Sequence, residues 1–306
     1  MRERVAVVVV TFNSAAVLPG LLESLPLGLE GLDWTLVVAD NDSADDTVTL
    51  LRSRAPQAVV LEMGRNAGYA AGINAAVRSA GEFSAVLVLN PDVRLTAGCV
   101  PELLRVLRTT RAGICVPRLE DSHGELILSM RREPTLVRAY ADALLGATRA
   151  GRIAALGEVV SDPERYDVAG SPDWAEGSTQ LIDGTCWTAC GGWDESFFLY
   201  SEETDYHLRA RDLGFDIRYV PTARAVHLEG ASASSPRLWS LLVANRLRLF
   251  RRRHSALGGA LFWLAAVLRE GSRSVLGHAI ARSAVSVLVR PSLLAAPRGP
   301  EWLERV

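Results

Sequence analysis

The chain contains no lysine, so all 33 of its basic side chains are arginines. This pattern reflects GC-rich coding rather than a functional demand, and it leaves no GK[ST] ending for a Walker loop. Cysteine is scarce: Cys99, Cys115, Cys186 and Cys190 lack paired CxxC spacing. That excludes a zinc ribbon and a disulfide framework and fits a reduced, cytosolic setting. Long apolar runs are missing too. The opening MRERVAVVVVTF is too short for a signal peptide and has no small-residue cleavage site, so it reads as a buried strand. The most apolar later run, Ala256 to Leu268, falls short of the roughly 20 residues a spanning helix needs.

What is present is a chain of 306 residues with 49% hydrophobic content, enough for one large domain or one domain plus an appendage. Charge divides it. Residues 1–230 hold 21 Arg against 32 Asp and Glu, a balance of −11, whereas residues 231–306 hold 12 Arg against 3 acids, or +9. We expect a first domain over 1–230 and a basic, apolar, helical region over 231–306. The expected fold class is α/β, with a doubly wound, mostly parallel sheet, helices on both faces and a C-terminal helical extension.

Val5 to Thr11 is an apolar, largely β-branched run, as expected of a strand covered on both faces. A turn at Asn13 and Ser14 leads to a helix over Ala15 to Leu25, and Thr35 to Ala39 forms a second strand ending in Asp40 and Asn41. Ligands of such sheets bind beyond the carboxyl ends of strands, where the Asp40 carboxylate can accept from a nucleobase N–H or a ribose hydroxyl. The segment Asp40 to Asp46 reads equally as a solvated, capped turn. Strand Ala58 to Glu62 runs into GRNAGYAAGIN, whose exposed N–H groups with Arg65 suit a diphosphate, although helix packing explains the glycines as well. Ala85 to Leu89 is a central strand ending in Asn90, Pro91 and Asp92, oxygen donors suited to Mg²⁺ or Mn²⁺ with substrate phosphates completing the shell. A helix over Leu95 to Arg108 and a strand over Gly113 to Pro117 follow. Residues 119–175 read as loop or hairpin covering the site, with a turn from Asp173 to Gly177 before Thr179 to Cys190.

The stretch Phe198 to Gly230 concentrates the chemistry. Ser201 stands as N-cap, Glu202 and Glu203 occupy the first helical turn, Gly214 stops the helix, and DIRYVP is a strand ended by Pro221, with His227 on the exit loop. Acids in a first turn serve capping, but a carboxylate pair with a returning histidine can also hold a divalent metal and remove a proton. Further helices are expected over Ser234 to Leu249, Leu257 to Val267 and Ile280 to Val289. Their arginines and tryptophans suit either an anionic membrane interface or packing on the first domain with Arg facing water.

Taken in order, VVVVTFNS, ADNDSADDT, GRNAGYAAGIN, LVLNPDV and GGWDESFFLYSEETDYHLRARDLGFDIRYVPTARAVH resemble inverting glycosyltransferase family 2, the GT-A fold, and bacterial rhamnosyltransferase-like members in particular. The resemblance implies transfer of a sugar from a nucleotide diphosphate donor, UDP- or dTDP-linked, to an acceptor hydroxyl with inversion. It places Thr11, Asn13, Asp40 and Asn41 on the nucleoside and Arg65, Asn66 and Gly72 along the donor pocket. Asp92 matches the last position of the D-x-D metal element, with Asn90 in place of the first aspartate and His227 completing the metal site. Glu203 stands where the family has its catalytic aspartate, leaving Glu202 and Asp205 as other proton acceptors. Gly177, Trp193, Asp194 and Glu202 fall in the acceptor-side region. The acceptor is expected to be a lipid-linked cell-wall or polysaccharide intermediate, or a natural-product aglycone. The protein would then sit in the cytoplasm or peripherally on the inner membrane face through residues 231–306, with a homodimer open and no nucleic-acid partner. A nucleotidyltransferase is disfavoured by TFNSAAVLPG after the first strand, where a basic Gly-rich loop would be needed. A nucleotide-sugar-binding scaffold without turnover is the non-enzymatic alternative.

Overall fold

The first strand shows why its run is apolar on both sides. In a computed structural model that describes residues 3–228 and 235–306, Val5, Val7 and Val9 enter one core cluster while Ala6, Val8 and Val10 enter another. Alternate side chains leave a strand on opposite faces, so helices must cover both.

The strands are β1 (Arg4–Thr11), β2 (Asp33–Asp40), β3 (Val59–Glu62), β4 (Ala85–Leu89), β5 (Val93–Leu95), β6 (Ala112–Glu120), β7 (Met130–Arg131), β8 (Trp174–Ala175), β9 (Thr179–Asp183) and β10 (Asp216–His227). Eight form one sheet in the order β3-β2-β1-β4-β9-β6-β10-β5, and β7 pairs with β8 apart from it. β3, β2, β1 and β4 run parallel, β9 opposes both its neighbours, β10 parallels β6, and β5 opposes β10. The sheet is therefore mostly parallel, and β4 lies beside β1 as expected.

The helices are α1 (Leu18–Gly28), α2 (Thr47–Arg54), α3 (Tyr69–Ser79), α4 (Cys99–Thr109), α5 (Leu136–Leu145), α6 (Ala147–Gly151), α7 (Gly184–Cys190), α8 (Glu202–Asp212), α9 (Pro236–Arg253), α10 (Ala256–Val275), α11 (Ala279–Leu288), α12 (Pro291–Ala295) and α13 (Pro300–Glu304). Leu18, Leu21 and Leu25 of α1 and Leu103 of α4 join the odd-valine cluster; Ala70 and Ile73 of α3 and Tyr206 of α8 join the other.

Several expectations are revised. The helix placed over Leu95 to Arg108 starts only at Cys99, because Val93–Leu95 pairs as an edge strand and Gly98 takes a left-handed φ of 70°. The first helix begins at Leu18 rather than Ala15. Pro221 does not end its strand: β10 slips register between Val220 and Arg224, a bulge that absorbs the missing N–H, and pairing resumes to His227. His227 therefore sits on a strand, not on an exit loop. Thr179 to Cys190 divides into β9 and α7, and residues 119–175 contain α5 and α6 besides the β7–β8 pair. The boundary at 230/231 and Ser234 lie outside the described residues.

The C-terminal helices pack on the first part of the chain. Leu241, Ala244, Val287 and Trp302 enclose Phe198 in one buried cluster. The charge asymmetry is met inside the molecule, since Arg246 pairs with Glu158, Arg252 with Asp194, Arg253 with Asp212 and Arg269 with Asp142. These four arginines pair with carboxylates of the first part of the chain, and Arg252 remains exposed to water as well. Among the described residues no helix is long and apolar enough to cross a membrane.

Candidate active site

The site forms where the carboxyl end of β4, the far end of β10 and the start of α8 meet. Asp92 follows β4 by three residues. His227 ends β10, and its Nε2 lies 3.3 Å from Asp92 Oδ1. On the other side of the ring, Nδ1 is 3.0 Å from Oε1 of Glu176, which follows β8. Burial opposes a charged imidazole, but hydrogen bonding to Asp92 and Glu176 prevails and raises His227 to about 10. Burial likewise opposes both carboxylates, and His227 nevertheless holds Asp92 and Glu176 below the usual carboxylate range.

These residues suit a divalent ion in a particular way. Asp92 would supply an oxygen and His227, once an ion displaces the proton on Nε2, an adjacent nitrogen, with Glu176 orienting the ring from behind as outer-shell carboxylates do. Among the described residues no three His, Cys, Asp or Glu side chains form a cage. Two protein donors fit an ion such as Mg²⁺ or Mn²⁺ that takes its remaining ligands from phosphates and water.

The acidic turn is delivered by a backbone in an uncommon conformation. Phe198, Tyr200 and Ser201 have φ of 67°, 69° and 73°, each costing about 1–3 kcal/mol for a residue other than glycine. The left-handed Ser201 occupies the N-cap position, yet its side chain makes no cap hydrogen bond. What holds the segment is Asn245 of α9, fully buried, whose Nδ2 donates to the carbonyls of Phe197 (2.8 Å), Leu199 (2.8 Å) and Tyr200 (3.2 Å). Arg298 Nε donates to Asn245 Oδ1 at 3.0 Å. From the other side Tyr69 N donates to Phe198 O at 2.7 Å. Gly68 makes this approach possible, with φ of 93° and an added Cβ only 2.5 Å from Phe198 O.

Glu202 and Glu203 separate in environment. Glu202 is 2% exposed with an unpartnered Oε2, and burial, reinforced by the Glu203 charge, pushes its carboxyl well above the usual range. Glu203 is half-buried, and burial raises it to about 7. Two neighbouring carboxyls driven apart in this way leave one neutral and the other poised near neutral pH. Asp205 is removed from contention as proton acceptor, because Arg209 Nε holds its Oδ2 at 2.7 Å. Gly177 packs on Glu203, where an added Cβ would stand 3.1 Å from Glu203 Cβ. Behind it, buried His207 accepts from Ala175 N at 3.1 Å and contacts Gln180 Oε1 at 2.7 Å, and desolvation lowers it to about 3. That neutral ring ties α8 to β8 and β9.

The residues expected on the donor side gather at the ends of β1 and β2. Thr11 Oγ1 donates to Asp40 Oδ1 at 2.7 Å, and Ser43 donates to both Asp40 oxygens. Asn13 Oδ1 accepts from Ala44 N at 2.8 Å. Asn41 clasps the glycine loop, donating to Gly68 O at 3.0 Å, and Asn66 Oδ1 accepts from Gly68 N at 3.2 Å. Arg65 is exposed beside them. Gly72 is buried under Val10, its Cβ position 2.8 Å from both methyls, so its place is helix–strand packing. Asn90 Oδ1 is occupied by the Tyr69 hydroxyl at 2.7 Å.

On the acceptor side the picture is divided. Gly177 and Glu202 adjoin Glu203, but Trp193 is 2% exposed, stacked on Tyr206 at 5.5 Å. Asp194 caps the turn at 195–197 and pairs with Arg252. Both border a hollow of about 740 Å³ with Asn74 and Trp187, not the Glu203 cleft. Sequence reasoning missed Glu176, Tyr69, His207 and Asn245. Glu176 alone carried a local signal, an acid beside Gly177 in the turn already singled out.

The mostly parallel sheet of this order, with helices around it, is the GT-A fold that the structural neighbours share. Residues 6–151, just under half of the chain, match the model of glycosyl transferase family 2. The chain is 29% identical over 303 residues to N-acetylglucosaminyl-diphospho-decaprenol L-rhamnosyltransferase of Mycobacterium tuberculosis, covering 93% of this chain and 95% of that one. Among solved structures, the mannosyltransferase PcManGT from Pyrobaculum calidifontis in complex with GDP-Man and Mn²⁺ aligns over 94% of this chain and 84% of its own at a TM-score of 0.56 and 14% identity. S. aureus TarS 1-349 in complex with UDP aligns over 94% and 88% at a TM-score of 0.52 and 13% identity. The chain spans 46% of full-length TarS. It is a glycosyltransferase that moves a sugar to an acceptor.

Proposed function

We propose that the chain is an inverting, metal-dependent enzyme that transfers a sugar, rhamnose in the first instance, from a UDP- or dTDP-linked donor to a hydroxyl of a lipid-linked glycan intermediate. It works at the inner face of the membrane, with residues 231–306 as its peripheral contact. The observation that carries this is Glu203: a carboxylate raised to about 7, packed on Gly177 and flanked by the Asp92–His227–Glu176 triplet. The full-length match to the mycobacterial rhamnosyltransferase, whose name specifies a diphospho-decaprenol acceptor, supports the acceptor class. The neighbours holding GDP-Man with Mn²⁺ and UDP support a nucleotide-sugar donor and a divalent ion.

In this reading Thr11, Asn13, Asp40 and Asn41 shape the nucleoside pocket, with Arg65 and Asn66 along the diphosphate. Asp92 and His227 would hold the ion, which would supply positive charge against the leaving diphosphate. Glu203 takes the proton from the acceptor hydroxyl as that oxygen bonds to the anomeric carbon. The bond to the diphosphate oxygen breaks on the opposite side, so configuration inverts. Neutral Glu202, buried behind the site, adds no second negative charge to repel the developing alkoxide. Positioned general-base help is commonly worth about 10²- to 10⁴-fold in rate.

The test is a panel of UDP- and dTDP-sugars, each with Mn²⁺ or EDTA, scored for sugar transfer and nucleotide release. Activity with one donor that is lost in EDTA is expected. Donor binding without transfer or release under any condition would instead favour the scaffold.

A further inference from the structure

A second part of the active-site cleft is not used by the chemistry above. It is a hollow of about 600 Å³ that begins at Glu176 and Tyr200, beside the catalytic turn, and reaches Leu238 and Leu242 of α9. Ile127 and Leu128 line it as well. This volume is ample for a small-molecule ligand.

One cation borders it, Arg131 of β7. Its Nη1 donates to the carbonyls of Leu128 and Met130, and the guanidinium lies 5.8 Å over the Trp174 ring. Among the described residues no carboxylate comes within ion-pairing distance of Arg131, unlike the arginines of α9 and α10 that pair across to the first part of the chain. Of the three acids that line the hollow, Glu176 is held by His227, Asp121 accepts from His123 N and Glu125 N at 2.8 and 2.9 Å, and Glu125 is exposed. A planar cation anchored by backbone carbonyls, with donors to spare and an apolar wall beyond, is suited to a phosphate that carries a hydrocarbon.

We infer that this cleft is the acceptor-lipid subsite: Arg131 binds the phosphate of an isoprenoid-diphosphate acceptor, and Ile127, Leu128, Leu238 and Leu242 receive the first isoprene units. The inference rests on the lipid-linked acceptor proposed above and adds the residues that read it. The position also sets direction. A phosphate at Arg131 puts the sugar attached to it toward Glu176 and Glu203, while the chain leaves along α9. Burying apolar area against the wall adds to the phosphate contact, so lipid and phosphate together bind more tightly than either alone.

The experiment is equilibrium binding of farnesyl diphosphate, inorganic diphosphate and farnesol to the full chain in EDTA, so that no ion draws a diphosphate to Asp92. Farnesyl diphosphate should bind at least tenfold more tightly than either fragment. Arg131→Gln should weaken it at least tenfold, Arg131→Lys by less, and Leu242→Ser should weaken farnesyl diphosphate but leave inorganic diphosphate unchanged. UDP and dTDP binding with Mn²⁺ should be the same in all variants, with thermal unfolding confirming that each is folded. An unchanged affinity in Arg131→Gln, or equal weakening of nucleotide and farnesyl diphosphate, would overturn the assignment, the latter making Arg131 a donor ligand. So would failure of the wild type to bind farnesyl diphosphate. Transfer to a lipid-diphosphate sugar separates the two readings. Transfer by the wild type with Arg131→Gln equally active sinks the subsite alone, whereas Arg131-dependent binding without any transfer sinks the proposed acceptor alone.

Discussion

At the scale of single residues, two adjacent glutamates differ in environment because α8 buries one and leaves the other half-open. Glu203, raised to about 7 by burial, acts as base only when deprotonated. Turnover should therefore fall as pH drops below about 7, approaching tenfold per unit, and a kcat/KM profile that stays flat from pH 5 to 8 would contradict the assignment. Glu202 yields a stability prediction of defined sign. Its folded carboxyl is raised above its unfolded value, so its contribution is intact below the unfolded pKa and is lost as pH rises from there toward the folded one. Glu202→Gln removes that dependence. The Tm advantage of Glu202→Gln over wild type should thus grow from pH 5 to pH 8 in thermal melts.

At the scale of elements, the turn before Glu202 and Glu203 depends on Asn245 of α9, 45 residues or more beyond it in sequence, through the carbonyls of 197, 199 and 200. Asn245→Leu keeps the approximate volume but removes the donor shared by these three carbonyls and the acceptor of Arg298 Nε, while Phe197 O keeps Leu199 N and Arg298 keeps the carbonyls of Leu293, Leu294 and Ala296. Each buried polar group left unsatisfied costs about 1–3 kcal/mol. We expect a folded, destabilised protein whose kcat falls at least tenfold with donor affinity little changed, read from steady-state kinetics beside donor titration. Gly68→Ala should be harsher, since its Cβ meets Phe198 O at 2.5 Å and the φ of 93° disfavours any side chain.

The same elements show what could be read beforehand. β1 and β4 were legible because a strand covered on both faces must be apolar throughout, and the ordered motifs brought Asp92, Glu203 and His227 into one account. β10 was cut short because proline is a sound stop signal unless a bulge accommodates it, and nothing local to Pro221 announces the bulge at Val220 to Arg224. β7 and β8, two residues each, carry no period to detect, so Arg131 and Glu176 stayed invisible as site residues. Asn245 sits in an amphipathic helix, where a lone asparagine signals nothing until its three acceptors are in view.

Over the whole molecule, the C-terminal helices are a structural part of the enzyme as well as its basic appendage. They cover Phe198, pair with acids of the first part and form the far wall of the hollow that begins at Glu176. Outward, α10 presents Leu257, Leu261, Leu264 and Leu268 to solvent at helical spacing. If this stripe meets the membrane, the full chain should float with vesicles containing anionic lipid, and Leu261→Glu with Leu264→Glu should return it to the dense fraction while soluble-donor hydrolysis is kept. Recovery of the wild type in the dense fraction would remove the membrane contact.

The central claim is that Asp92, His227 and Glu203 serve one nucleotide-sugar. A crystal structure of Glu203→Gln with Mn²⁺ and the preferred donor tests it most directly. The account predicts the ion in contact with Asp92 and His227, the diphosphate on that ion, and the anomeric carbon facing the side chain at 203 across a gap sized for an acceptor hydroxyl. A donor bound with its anomeric carbon turned away from that side chain, or an ion held without Asp92 and His227, would contradict it.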